Sequence, residues 1–78
     1  MYQNSDKHNL LREELKAARL RANLRQVDVA ALLNKPQSYV AKVESGERRI
    51  DFVETLELCT VIGLDPHKLV DMLKDCHS

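Results

Sequence analysis

An all-α fold of five helices is predicted by two properties of this 78-residue chain. Apolar residues recur at three- and four-residue steps, the spacing of one helical face, and no segment alternates apolar and polar as a half-buried strand would. Between these segments stand residues suited to ending or starting a helix. Asn23, Asn34, Gly46 and Gly63 tolerate the left-handed conformation that stops a helix, while Asp51 and the pair Asp65-Pro66 favour a start.

The first helix is expected from near Asp6 to Ala22, with Leu11, Leu15, Ala18 and Ala22 as its apolar stripe and Asn23 as its stop. In the second, Val29, Ala30 and Leu33 share a face, and Ala30 is small where another helix has to cross closely. The turn that follows is Asn34-Lys35-Pro36. Proline has no amide hydrogen to lose at a helix start and biases Lys35 away from helical angles, so the third helix is expected from Pro36 to its stop at Gly46. Val40 and Val43 form its buried side. Asp51 and Glu54 make a capping box for a fourth helix that carries Val53, Leu56, Cys59 and Ile62 to Gly63. The fifth opens at Asp65-Pro66 and offers Leu69, Val70 and Leu73 as its apolar side.

The segment QVDVAALLNKPQSYVAKVES, from Gln26 to Ser45, therefore reads as two helices joined by a tight turn, a helix-turn-helix unit. At about 100° per residue, Val40, Val43 and Glu44 cluster on one side of the second helix of this unit and Ser38, Ala41, Lys42 and Ser45 on the other. Gln37 sits on the flank of the first turn. A polar outer face with a long amide at its N-terminal end suits a helix that reads bases in a groove.

The formal net charge is zero, yet the charge is unevenly distributed. From Arg19 to Arg49 seven cations (Arg19, Arg21, Arg25, Lys35, Lys42, Arg48, Arg49) face three anions (Asp28, Glu44, Glu47), a net of plus four. From Ile50 onward the net is minus four. Charges more than about 10 Å apart are largely screened, so the local excess around the motif governs attraction to phosphate.

A chain of this length forms one small domain with a marginal core, which association with a second copy would strengthen. No apolar run reaches the length of a membrane span, and MYQNSDKHN lacks the order of a secretory signal, so a cytoplasmic protein is expected. Cys59 in an apolar helical pattern and Cys76 near the terminus do not form a disulfide framework and are expected reduced. His8, His67 and His77 are scattered, Cys76-His77 is not a metal-ligand spacing, and neither a nucleophile-base-acid set nor a phosphate-cradling glycine loop is present. The sequence gives no sign of an enzyme, a cofactor or a metal site.

The stretches LREELKAARLRANLRQ, NKPQSYVAKVESGERR and VIGLDPHKLVDML resemble the phage repressor and Cro type of helix-turn-helix domain, the xenobiotic-response-element (XRE) family. The resemblance runs from about Leu11 to Leu73 and implies a compact five-helix, repressor-like bundle. It divides the chain into an N-terminal extension with the start of the first helix (residues 1–10), the DNA-binding domain (11–73) and a C-terminal tail (74–78). Two positions depart from the family pattern. Arg25 stands where a Ser or Thr usually caps the second helix, which forgoes about 1 kcal/mol of capping. Ala41 stands where Ser is more usual, leaving a methyl that suits contact with thymine.

By this resemblance the protein is a sequence-specific, double-stranded DNA-binding transcriptional regulator of bacterial or phage origin, a repressor that acts by occupying its operator. Helix 37–45 enters the major groove, with Gln37, Ser38 and Lys42 as base contacts. Gln26, Ser45, Arg48 and Arg49 are the phosphate contacts, and Arg19 and Glu44 form a structural ion pair. Tyr39 lies between the faces, able to touch the DNA backbone or cover the core. A homodimer is expected, with Tyr2, Leu10, Leu69, Met72 and Leu73 as interface candidates, although Leu69 and Leu73 also suit the core. A rival reading, supported by the acidic tail, is an antitoxin-type module that binds a toxin or other protein partner and autoregulates its operon. A third is a scaffold that keeps the fold without DNA affinity.

Overall fold

Five helices follow one another in the computed structural model, which describes residues 5–76. They are α1 (Ser5–Arg21), α2 (Gln26–Leu33), α3 (Gln37–Ser45), α4 (Phe52–Ile62) and α5 (Pro66–Asp75), and no strand occurs among the described residues. The punctuation works through the backbone. Asn23, Asn34, Gly46 and Gly63 all have positive φ, at 60°, 57°, 89° and 73°. After Asn23, Asn34 and Gly63 the next amide reaches back across the end of the helix: Leu24 N–H donates to the Arg19 carbonyl, Lys35 to Ala30 and Leu64 to Cys59. This closure satisfies carbonyls that the helix leaves open and redirects the chain sharply.

α3 packs on α2, with α1 behind it, while α4 touches α1 and α2 and α5 leans on α1. The core they enclose comprises Leu15, Ala18, Val29, Ala30, Tyr39, Val40, Val43, Leu58, Cys59, Ile62, Leu64 and Leu69. Ala30, 2% exposed, lies in this core, where a larger side chain would have to displace its neighbours.

Four expectations need correction. Pro36 is the N-cap of α3, with an extended ψ of 154°, and not its first helical residue. Ala22 is exposed because α1 ends at Arg21, one residue short of it. In α4, Val53 (63% exposed) and Leu56 (36%) face solvent, and the buried set is Leu58, Cys59 and Ile62. A strict three-residue step loses about 60° per step on an α-helix, so Val53 and Ile62 end on opposite sides. Val70, one position and so about 100° around the helix from buried Leu69, is exposed.

Both cysteines are free, and burial pushes the Cys59 thiol above its ordinary pKa. Among the described residues no helix is long and apolar enough to cross a membrane, and no cluster of His, Cys, Asp and Glu forms a metal site.

Candidate nucleic-acid interface

The placement of α3 begins at Arg19. Its guanidinium lies almost wholly inside the protein, with Nε donating to Glu44 Oε2 at 2.7 Å, a second nitrogen to Glu44 Oε1 at 3.1 Å and a third to the Leu24 carbonyl at 2.8 Å. Both side chains are 8% exposed. One planar cation thus joins α1, the loop before α2 and the C-terminal half of α3, and no buried side-chain polar atom among the described residues is left without a partner.

The network continues to the surface. Gln26 Nε2 donates to Glu44 Oε1 at 3.0 Å, and Gln37 Nε2 donates to Gln26 Oε1 at 3.0 Å. Arg19, Glu44, Gln26 and Gln37 form one chain of hydrogen bonds from the protein interior to the first residue of α3. Gln37, Ser38, Lys42 and Ser45 are exposed and Ala41 is half-buried, whereas Tyr39, Val40 and Val43 are buried. Ser45 is engaged locally, donating to the Lys42 carbonyl and accepting from the Glu47 amide.

The loop after α3 is built around two arginines with different tasks. The Arg48 guanidinium makes a two-pronged contact with Glu54 at 3.2 and 3.0 Å, donates to the Arg49 carbonyl at 2.9 Å and lies 4.8 Å from the Tyr39 ring centroid. Lys35 approaches the same ring at 5.2 Å. Burial, followed by the Glu54 charge, raises the Tyr39 pKa, so the phenol stays neutral and its ring is held by cations from two loops. The Arg48 guanidinium, with help from the Asp51 amide, holds the Glu54 carboxyl below its ordinary range. Arg49, in contrast, is exposed. Gly46 is required on the α3 side of this loop. Its φ of +89° disfavours any side chain, and a Cβ there would also come within 2.9 Å of the Arg12 guanidinium, which would have to shift.

Four side chains make contacts at the site that the sequence does not lead one to expect. Asp28 accepts from the Arg25 backbone amide at 2.8 Å and from its guanidinium at 3.1 and 3.0 Å. It supplies the reaching-back half of a capping box, so the start of α2 keeps a satisfied amide although Arg25 cannot act as an acceptor. The spacing from Arg25 to Asp28 carried that signal. Glu54 was read only as a cap, and it does cap, accepting from the Asp51 amide, but its contact with Arg48 spans a loop without periodicity. Arg12 against Gly46 is likewise a tertiary contact that spacing does not encode, whereas Lys35 and Tyr39, four positions apart, meet across the start of α3.

The described interface candidates also divide. Leu69 is 2% exposed and belongs to the core, Leu73 packs partly against it, and Leu10 and Met72 are half-buried. Tyr2 lies outside the described residues.

A polar outer face on α3, anchored from behind by a buried ion pair and flanked by a cationic loop, is the arrangement of a groove-reading helix. A family model described as a helix-turn-helix domain matches residues 10–72. A solved structure titled "XRE-family like protein from Pseudomonas syringae pv. tomato str. DC3000" is similar at 38% identity, with a TM-score of 0.85 over 90% of this chain and 85% of that one. The chain belongs to the XRE-type helix-turn-helix family. Comparison with curated proteins finds no match. This XRE-type domain is a DNA-binding regulator in general character, and its fold is typical of regulators that are not enzymes.

Proposed function

We propose that this XRE-type protein is a cytoplasmic repressor that binds a specific operator as a homodimer, with α3 in the major groove. Gln37, Ser38 and Lys42 contact base edges, and Gln26, Ser45 and Arg49 contact phosphates. Arg48 contributes chiefly by holding the loop, since its guanidinium is committed to Glu54 and Tyr39. The observation that carries this reading is the exposure of the polar side of α3 while Glu44, on its other side, is tied to Arg19 in the interior. A reading helix needs that rigidity, because a base contact tolerates little error in position.

The second copy is assigned to the exposed apolar residues of α4 and α5: Phe52 (70% exposed), Val53, Leu56 and Val70. This patch begins three residues after Arg49, and the second copy is expected to place its own α3 on a half-site about one turn of the duplex away. Selection of bound sites from random DNA at two salt concentrations tests the reading. A single enriched motif with two-fold symmetry, at an affinity that falls steeply with salt, supports it. Binding without an enriched sequence contradicts it, and co-purification of a different small protein on the Phe52 patch favours the antitoxin alternative.

A further inference from the structure

The chain has six arginines, and four of them are answered by a carboxylate: Arg19 by Glu44, Arg21 by Glu14, Arg25 by Asp28 and Arg48 by Glu54. The other two, Arg12 and Arg49, have no carboxylate partner among the described residues, and both line one recess between α1 and the loop after α3. Its floor is apolar, with buried Leu15 and Val43, and no Asp or Glu lines it. His8, one turn before Arg12, and Arg48 add to its basic rim. Glu47, between Gly46 and Arg48, is exposed and stands outside the recess. The Arg12 guanidinium donates to the Asn9 side-chain oxygen, a neutral acceptor, and so keeps its whole charge. Gly46 leaves room for it, since a Cβ there would displace it. At about 60 Å³ the recess admits a few waters or one phosphate group and excludes a base or a nucleoside.

We propose that Arg12 and Arg49 hold one phosphate group between α1 and the loop after α3. Cations gathered without an anion raise the local potential, and the planar fork of an arginine matches two phosphate oxygens with parallel hydrogen bonds. Arg48, committed to Glu54 and Tyr39, fixes the loop that carries Arg49 and adds charge without moving. Arg12 and Arg19 stand seven residues apart on α1, nearly two full turns, and so share one side of it. Arg19 spends its charge on Glu44 and holds α3, while Arg12 keeps its charge for an outside anion. Two sources supply a phosphate group, the backbone of a duplex and free inorganic phosphate. The duplex is the nearer source, because the recess opens beside Gly46, where α3 ends. From that source the site deepens the groove reading and rests on it: α1 then joins the docking surface and clamps the backbone just beyond the reading helix.

The test follows the side-chain Nε–H resonances of Arg12 and Arg49 in the parent protein, first with inorganic phosphate added at constant ionic strength and then with a selected duplex. Saturating shifts of both with phosphate identify free phosphate as the occupant, and shifts of both with the duplex alone identify the backbone. In the second case one methylphosphonate linkage, which lacks the charge, is expected to weaken the parent about tenfold and Arg12→Gln, which keeps Arg49, only about twofold. Arg12→Gln should select the same sequence with a salt slope lower by about one. The resonances are read in the parent, so the site is judged even if Arg12→Gln fails to fold. An Arg12 resonance unmoved in both arms overturns the site and leaves the groove reading standing. A parental salt slope in folded Arg12→Gln, with no saturating phosphate shift, also overturns it and makes Arg12 a prop for the end of α3. A parent that enriches no sequence overturns the groove reading, and the phosphate titration then decides the site by itself.

Discussion

The α2–α3 unit and the α4–α5 half divide the work of this small domain in opposite ways. Around α3, polar groups are joined from inside to outside: Arg19 to Glu44, Glu44 to Gln26, Gln26 to Gln37, and Arg48 to Glu54 beneath the loop. In the α4–α5 half the charged residues are mostly at the surface and net acidic, and apolar residues stand in solvent, from Phe52 to Val70. The first region fixes side chains in place, as groove reading demands. The second offers apolar area beside its acidic charge, as association demands, although Val27 and Leu32 of α2 are exposed as well. The contrast shows that exposed side chains are positioned by what is buried behind them.

The largest break in that contrast is expected from Glu44→Ala, which leaves the Arg19 guanidinium buried without its carboxylate and costs about 3 to 5 kcal/mol, read from urea unfolding. An unchanged midpoint would mean that α3 is held by its valines alone. Smaller effects separate reading from positioning on the DNA side. Lys42→Ala is expected to weaken operator binding by about 1 to 3 kcal/mol and relax preference at one base position, while Arg49→Ala weakens all sequences and reduces the salt slope by about one. Uniform loss in both would merge the two roles.

A third comparison uses acid. Arg25 beside Asp28, Arg48 beside Glu54, and the His67 backbone amide and ring beside Asp65 hold these three carboxyls below their ordinary range. A depressed folded pKa means that the unfolded chain binds the proton more readily, so the stabilisation is complete above the ordinary carboxylate pKa of about 4 and fades as pH falls through the lower folded values. The urea midpoint should be level above about pH 5 and decline below it, and a midpoint that climbs on acidification would reverse the assignment. The smallest effect on the fold is expected from Phe52→Ser, within about 0.5 kcal/mol, because the ring is already in solvent. Its consequence appears in sedimentation, where the proposed dimer should shift toward monomer. An unaltered dimer would move the two-fold axis away from this patch.

Much of this was legible in the chain because local chemistry encodes it. Asn34 and Pro36 shape the turn wherever they occur, and the position of Glu44 among valines marks a charge on a buried side. The buried face of α4 is not legible in this way, because its i, i+3 run of apolar residues drifts around the helix and leaves Val53 and Ile62 half a turn apart. The partnerships of Arg12 and Gln26 depend on which long side chains meet after packing, and spacing carries little of that. Gln26 was visible as a polar residue at a helix start, but its link to Glu44, eighteen positions away, exists only in the fold.

Amide chemical-shift mapping with a selected duplex tests the central claim most directly. The account predicts the largest perturbations at Gln26, along Gln37 to Ser45 and through the loop to Arg49, with α4 and α5 changing little beyond the patch around Phe52. Perturbations concentrated on α4 and α5, with Gln37, Ser38 and Lys42 unmoved, would contradict it.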